Sequence, residues 1–196
     1  MLLRILAATL VIFSTLSITD CDSSLADSRV QTVRSECELR IELPAQIKQN
    51  KASQLKVRIN NVGKTPVTLV MPGDGSEVRW RTPCVGWSFL PVDSPDQHPQ
   101  SPKRRIGRRC GNINPLNPTE IFVLESGNGQ NLKQWIRFPH IIPPGKYRAV
   151  FYYSNVPQLK WHGVPLGKHD SSAMQQVKRS TPISLVSNEV IVEIIE

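Results

Sequence analysis

The amino-acid sequence predicts an all-β protein, an antiparallel β-sandwich of about seven to nine short strands with long loops. Several short segments alternate apolar and polar residues with a period of two, and Gly/Pro-rich turns separate them. Only one stretch, near residues 169 to 180, has a pattern that favours a short helix. No repeat of fixed length is visible, which argues against a propeller or a solenoid.

The first twenty residues are predicted to be a signal peptide. Met1 to Arg4 is a short cationic start, and an almost unbroken apolar run follows from Ile5 to Ile18. This order is typical of secretory signals, and the run is shorter than the roughly 20 apolar residues that span a bilayer. We therefore expect an exported protein that is periplasmic, envelope-associated or secreted. Residues 21–35 show no sustained period and are interpreted as a tether before a single domain at 36–196.

Cys21 has two interpretations. It lies where a bacterial lipoprotein carries its lipidated cysteine, although Asp20 fits that motif poorly. The alternative is ordinary cleavage near Thr19 or Ala26. A lipid on Cys21 would be the protein's only predicted link to a membrane.

The early strands are predicted from strict alternation. In "ECELRIEL" and "SQLKVRIN" the apolar residues should face the core and the charged residues the solvent. The segment "NVGK" is interpreted as a turn in which Gly63 takes a positive φ. A third strand, "TPVTLVM", ends at "PGDG". In the next strand Trp87 and Phe89 should face the core.

Later strands are predicted in "TEIFVLES", "LKQWIRF", "GKYRAVFYYSN" and "SNEVIVEII", with "GNGQN" as a break between the first two. Two long connections, at 73–118 and 155–187, are expected to carry any specialised function. The short helix is predicted within "HDSSAMQQVKRS", with Asp170 as its N-cap and Lys178 and Arg179 in its last turn.

Two motifs sharpen the fold class. "VRINNVGKTPVTL" (57–69) resembles the strand–turn–strand of exported bacterial immunoglobulin-like domains, and "PPGKYRAVFYY" (143–153) is similar to their late Pro-Gly-x-Tyr strand. The closing "SNEVIVEI" resembles their last strand. The resemblance implies an immunoglobulin-like sandwich in which the Tyr147 hydroxyl bonds back to nearby backbone as a tyrosine corner. The intracellular proteinase inhibitor domain has a comparable strand plan.

The cysteines predict disulfides, because the chain is expected to be exported. Cys84 and Cys110 flank a long polar loop and are paired by preference, which would add roughly 3.5 kcal/mol on the chain-entropy estimate. Cys37 could pair with Cys21 if that residue is neither lipidated nor removed. Four cysteines allow three connectivities, so the pairing stays open.

The charge of the chain indicates an anionic partner. The formal net charge is +8, which suits an acidic polysaccharide, a lipid head group or an acidic protein. Nucleic acid is disfavoured by the predicted compartment. The candidate binding set combines a basic run with the segment that a Cys84–Cys110 bridge would bring near it: Lys103, Arg104, Arg105, Arg108 and Arg109, with Arg79, Trp80 and Arg81. The alternative is a loop that simply solvates its charges.

No residue pattern predicts catalysis, and no cofactor or metal is expected. "GDGSE" offers too few oxygens for a calcium loop and is interpreted as a turn. One alternative function is a metal-dependent or hydrolytic enzyme that uses His162, His169 and Asp170, although their spacing matches no known ligand or triad pattern. Another is a protease-inhibitor-like module that presents the loop at 91–118.

Overall fold

The computed structural model describes residues 36–49, 55–94, 116–132, 136, 142–159 and 171–196. All of them belong to one compact unit, Arg34–Glu196. The predicted signal peptide, the tether and Cys21 lie outside the described residues. Within the described part, the chain is mostly β. Its strands are β1 Cys37–Glu42, β2 Gln46–Lys48, β3 Lys56–Asn61, β4 Val67–Val70, β5 Cys84–Pro91, β6 Ile121–Leu124, β7 Gly129–Asn131, β8 Gly145–Asn155, β9 Ile183–Val186 and β10 Val190–Ile195.

The strands form three sheets. One has the order β1-β3-β7, a second the order β2-β10-β8-β5 with β9 also on β8, and a third consists of β4 and β6. Every pair is antiparallel except β2 with β10, which run parallel. The predicted all-β class is therefore confirmed for the described residues, as several sheets.

In β1 and β3 the buried residues are the alternating apolar residues that the sequence predicts to face the core. Cys37, Leu39 and Ile41 of β1 are buried, and Val57 and Ile59 of β3 are fully enclosed. These side chains share one cluster with residues of the other two sheets: Val67, Leu69, Leu124, Val85, Phe151, Tyr153 and Leu185. Because all three sheets contribute to this cluster, its burial holds them together.

Strand β8 is the centre of the largest sheet. It pairs with β5 along one side and with β9 and β10 along the other. Trp87 of β5 packs edge-on against Phe151, with ring centroids 4.9 Å apart, and stacks with Phe89. The Tyr147 hydroxyl donates to the Pro143 carbonyl at 2.9 Å, which confirms the expected bond back to nearby backbone.

Three short strands were not predicted. β7 falls inside "GNGQN", the segment interpreted as a break, and β9 lies within the presumed loop 155–187. β2 is only three residues long. None of them has enough alternating apolar residues to give a period, and each depends on a longer neighbour: β3, β8 and β10. Of the predicted "LKQWIRF" strand, residues 133–135, 137 and 138 lie outside the described residues, and Leu132 and Ile136 are buried.

Gly63 differs from its predicted role. Its φ is not among the positive values of the described residues. A side chain there would instead collide with Glu36, because the turn packs closely against the start of β1. Glycine is needed at this position for close approach rather than for a left-handed backbone.

The predicted short helix is present as α1, Ser171–Arg179, with Lys178 and Arg179 in its last turn. Its proposed cap, Asp170, lies outside the described residues. Ala173 and Val177 are fully buried against Val70 and Leu116, so the helix covers one end of the β4–β6 sheet. No helix within the described ranges is long and apolar enough to cross a membrane.

Candidate anion-binding site at the Gly73–Pro83 bend

The segment between β4 and β5 is a tightly bonded bend. The Gly73 N–H donates to the Ser76 hydroxyl and the Ser76 N–H donates to the Gly73 carbonyl, both at 3.0 Å. A single turn of 3₁₀ helix follows at Ser76–Val78, and the Trp80 N–H closes onto the Gly75 carbonyl at 2.9 Å. Gly75 has φ 93°, a value that only glycine adopts at low cost. The predicted Asp74-Gly75 turn is thereby confirmed.

Arg79 and Trp80 directly follow the 3₁₀ turn and are both partly exposed. Arg79 has φ 60°, in the left-handed region, which is uncommon for a residue with a side chain. The surrounding hydrogen bonds hold it there, because its own N–H donates to the Ser76 carbonyl at 3.3 Å. The bend therefore carries a partly exposed cation and a partly exposed aromatic side chain at consecutive positions of a hydrogen-bonded backbone.

Arg81 does not belong to the predicted anion-binding set, because its side chain is buried. Its side chain is 0 % exposed, so a partner at the surface cannot reach it. One guanidinium nitrogen lies 3.2 Å from the Glu120 carboxylate, and a side chain on Gly73 would collide with the guanidinium. A buried charge is stable only when it is paired, and Glu120 supplies the opposite charge. Arg81 therefore belongs to the interior, whereas Arg79 and Trp80 remain at the surface.

Glu120 connects this bend to the start of β6. Its carboxylate also accepts from the Asn117 N–H at 2.8 Å, which completes a capping box for the short 3₁₀ helix Pro118–Glu120. Its backbone carbonyl accepts from the Met71 N–H at 2.6 Å. One residue thus ties the end of β4, the bend and the end of the long loop into a single unit.

A second polar network links Thr82, near the end of the bend, to residues that follow β8 and α1 or end them. The Thr82 hydroxyl donates to the Asn155 side-chain oxygen at 3.0 Å and accepts from the Val156 N–H at 2.8 Å. The Asn155 amide donates to the Ser180 hydroxyl at 2.8 Å. Because Thr82, Asn155 and Ser180 are all buried, this network anchors the bend to the end of β8 and the end of α1. The peptide bond between Thr82 and Pro83 is cis.

The basic run itself lies outside the described residues, as do Cys110 and the candidate ligands His162 and His169: the run comprises Lys103, Arg104, Arg105, Arg108 and Arg109.

Cys84 begins β5 and is buried, with its sulfur 3.9 Å from the Arg81 carbonyl. Its pairing with Cys110 stays a prediction, because Cys110 lies outside the described residues. Cys37 is buried in β1, and burial together with the nearby Glu36 carboxylate raises the pKa of its thiol to about 11. No disulfide joins these two described cysteines to each other.

Side-chain oxygens of Ser76 and Glu77 hydrogen-bond to the backbone of the bend. The Glu77 carboxylate accepts from the Gly75 N–H at 3.1 Å, and the Ser76 hydroxyl is used by Gly73. In the part of the chain that the structure describes, no group of three or more His, Cys, Asp or Glu residues could hold a metal ion. Two side chains of "GDGSE", those of Ser76 and Glu77, therefore accept hydrogen bonds from backbone N–H groups of the bend.

Comparison with protein-family models, with curated proteins and with solved structures finds no match for this chain.

Sequence reasoning missed Glu120 and Asn155, which fix the bend. Glu120 had a readable signal, since "NPTE" at 117–120 has an Asn cap, a proline and a glutamate three positions later. Asn155 had none, because its partners Thr82 and Ser180 come from distant parts of the chain. The burial of Arg81 could not be deduced either, since its partner is 39 residues away.

Proposed function

We propose that this protein is a non-catalytic, exported binding module of the cell envelope, folded as an immunoglobulin-like β-sandwich. Its partner is a polyanion that carries sulfate, phosphate or carboxylate groups. The binding surface consists of Arg79 and Trp80 on the bend together with the basic run at 103–109. We call this set the basic surface.

The observation that carries the proposal is the set of contacts that hold the bend around Arg79 and Trp80. Four separate contacts hold it: the 3₁₀ turn, the Arg81–Glu120 ion pair, the capping box of Glu120 and the Thr82–Asn155 network. A preorganised surface loses less conformational entropy on binding than a solvated loop does. An arginine on such a backbone can form charge-assisted, bidentate hydrogen bonds with an oxyanion, and the indole ring can stack on a sugar.

The fold assignment has its own support. The three sheets share one core, and the Tyr147 hydroxyl bonds back to Pro143 as a tyrosine corner would. The chain passes from β1 in one sheet to β2 in another, which is typical of two facing layers. The predicted signal peptide and the net charge of +8 support export and an anionic partner.

Heparin affinity chromatography tests the proposal with a soluble polyanion as the probe. A variant with Arg104, Arg105, Arg108 and Arg109 changed to Ser should elute at clearly lower salt than the native chain, because fewer counterions are displaced on binding. Arg79→Gly combined with Trp80→Ala should lower the elution salt further. Vesicles containing anionic lipid, used in a parallel co-sedimentation arm, distinguish a lipid head group from a polysaccharide as the partner.

The matched control removes the same number of positive charges elsewhere. Arg40, Lys48, Lys56 and Lys146 are exposed residues of strands β1, β2, β3 and β8, and are changed to Ser together. If both fourfold variants elute at the same salt, the effect comes from net charge alone and the basic surface has no specific role. If neither variant shifts, the anion-binding proposal is wrong.

A further inference from the structure

Helix α1 is tied to the chain at both ends of the bend. Val70, the last residue of β4 before the bend, is buried in one cluster with Val177 of the helix. Near the end of the bend, the Asn155 carboxamide accepts from the Thr82 hydroxyl at 3.0 Å and donates to the Ser180 hydroxyl at 2.8 Å. Because Ser180 directly follows α1, one carboxamide joins the end of the helix to the end of the bend.

The residues that leave the helix are also bonded to β4. The Thr181 N–H donates to the Thr68 carbonyl at 2.8 Å, and the Thr181 hydroxyl accepts from the Thr68 N–H at 3.2 Å. The Ser180 hydroxyl donates to the Val177 carbonyl at 2.6 Å, which closes the last turn of the helix. The carboxyl-terminal end of α1 is therefore held in place beside β4 and the bend.

The exposed face of α1 is polar and its only charges are positive. Ala173 and Val177 face the core. The exposed positions of the helix are Ser172, Gln175, Gln176, Lys178 and Arg179. The helix has no Asp or Glu, and among the described residues no carboxylate forms an ion pair with Lys178 or Arg179. Cations in a last turn complement the helix dipole, and exposed ones can also meet an anion.

We propose, on the basis of the anion-binding function proposed above, that Lys178 and Arg179 bind the same partner as the basic surface and that this partner is an acidic polysaccharide. Its chain contacts Arg79, Trp80 and the end of α1 together. A lipid surface is disfavoured, because a helix that lies on a membrane buries its apolar face there. The apolar face of α1 is already covered by the end of the β4–β6 sheet.

Titration of a heparin oligosaccharide at several salt concentrations tests the role of the helix. Lys178→Gln combined with Arg179→Gln should bind about tenfold more weakly than the native chain. The slope of log Kd against log salt concentration should also fall by about 2, because two fewer cations displace counterions. The matched control is Lys48→Gln combined with Lys146→Gln, which removes two exposed charges from β2 and β8 and should bind nearly as the native chain does.

A second variant separates binding from helix stability. Gln175→Glu places a carboxylate four residues before Arg179, an arrangement that stabilises a helix, so its melting temperature should be no lower than that of the native chain. Its affinity for the oligosaccharide should still fall by about threefold or more, because the carboxylate pairs with Arg179 and repels an anion. Unchanged affinity of this variant and of the double variant overturns the role of the helix.

The native chain and the fourfold arginine variant show which proposal has failed. If the native chain does not bind the oligosaccharide, the anion-binding function is wrong, and the role of α1 with it. If the fourfold variant loses affinity while both α1 variants bind as the native chain does, only the role of α1 is wrong. Equal losses in the double variant and its control also overturn that role, since net charge then explains both. Weaker binding of the α1 variants to anionic vesicles, with oligosaccharide binding unchanged, overturns the polysaccharide as the partner.

Discussion

The three tyrosines of the chain lie within seven residues of β8, yet their hydroxyl groups have three different environments. Tyr147 donates to the Pro143 carbonyl, at a partly exposed site. Tyr153 is fully enclosed, and its hydroxyl bonds to both the carbonyl and the N–H of Val70, at 2.8 and 3.3 Å. The Tyr152 hydroxyl is buried without a hydrogen-bond partner among the described residues.

These environments predict three results for one substitution, tyrosine to phenylalanine. Tyr153→Phe should lower the free energy of unfolding by about 1–3 kcal/mol, because it leaves buried backbone groups of Val70 unpaired. Tyr147→Phe should lower it by about 0.5–1.5 kcal/mol. Tyr152→Phe should be neutral or stabilising, since it removes a buried hydroxyl that bonds to nothing described. Urea unfolding curves give all three values. Equal losses for Tyr152→Phe and Tyr153→Phe would contradict the assigned hydrogen bonds.

The Cys37 thiol predicts a loss of stability in alkaline solution. Burial and the Glu36 charge raise its pKa from 9.0 to about 11. The folded state therefore keeps the proton at a pH where the unfolded state has lost it. The stabilising contribution is complete below pH 9 and is lost as the pH rises through about 11. Burial also raises the pKa of Tyr153 above its ordinary value of 10.0, so a second loss begins there.

Thermal unfolding between pH 8 and 11, with reductant present, measures this effect. Native protein should begin to lose stability above pH 9, whereas Cys37→Ala should remain level until the tyrosine contribution begins near pH 10. Parallel curves for the two proteins between pH 9 and 10 would show that the Cys37 thiol is not the group responsible.

At the scale of elements, the Arg81–Glu120 ion pair joins the bend to the 3₁₀ turn that precedes β6. Arg81→Ala leaves the Glu120 carboxylate, which is 13 % exposed, without its charge partner. We expect a loss of about 3–5 kcal/mol in the free energy of unfolding. Arg79→Gly, two residues earlier, should cost nothing or be slightly stabilising, because glycine adopts φ 60° without strain.

For heparin binding we expect the opposite ranking from that for stability, with the larger effect from the substitution of Arg79. Arg79→Gly should lower the elution salt, whereas the folded fraction of Arg81→Ala should elute close to the native chain. Glu120→Gln removes the same ion pair from its other side and provides a second measurement if Arg81→Ala does not fold. A stable Arg81→Ala protein with weakened heparin binding would contradict the interior placement of Arg81.

The longer elements were predictable because their alternation is local. The buried positions of β1, β3 and β10 follow from apolar residues at every second position, whereas β8 is buried at five consecutive positions, Ala149–Tyr153. β7 has the sequence Gly-Gln-Asn and no apolar residue, so only its partner β3 makes it a strand. Gly129 fits there because a side chain would collide with Arg58 and Asn60 of β3. Pairing of this kind depends on the tertiary structure and leaves no period in the sequence.

At the scale of the whole molecule, the site was only partly predictable. Composition and the order of residues point to a basic surface near "GDGSEVRWRTPC", and the bend at Gly75 follows from its turn chemistry. Which arginine faces solvent could not be predicted, because Arg79 and Arg81 have the same spacing from Trp80. The ion pair with Glu120 and the space left by Gly73 decide it, and both depend on contacts across the fold.

Hydrogen exchange of the native chain with and without a heparin oligosaccharide tests the proposed binding surface most directly. The account predicts slower exchange at Arg79 and Trp80 and along residues 103–109 when the oligosaccharide is bound, with no change along β1 or β10. Protection confined to other parts of the chain, or binding that leaves the amides of Arg79 and Trp80 unchanged, would contradict it.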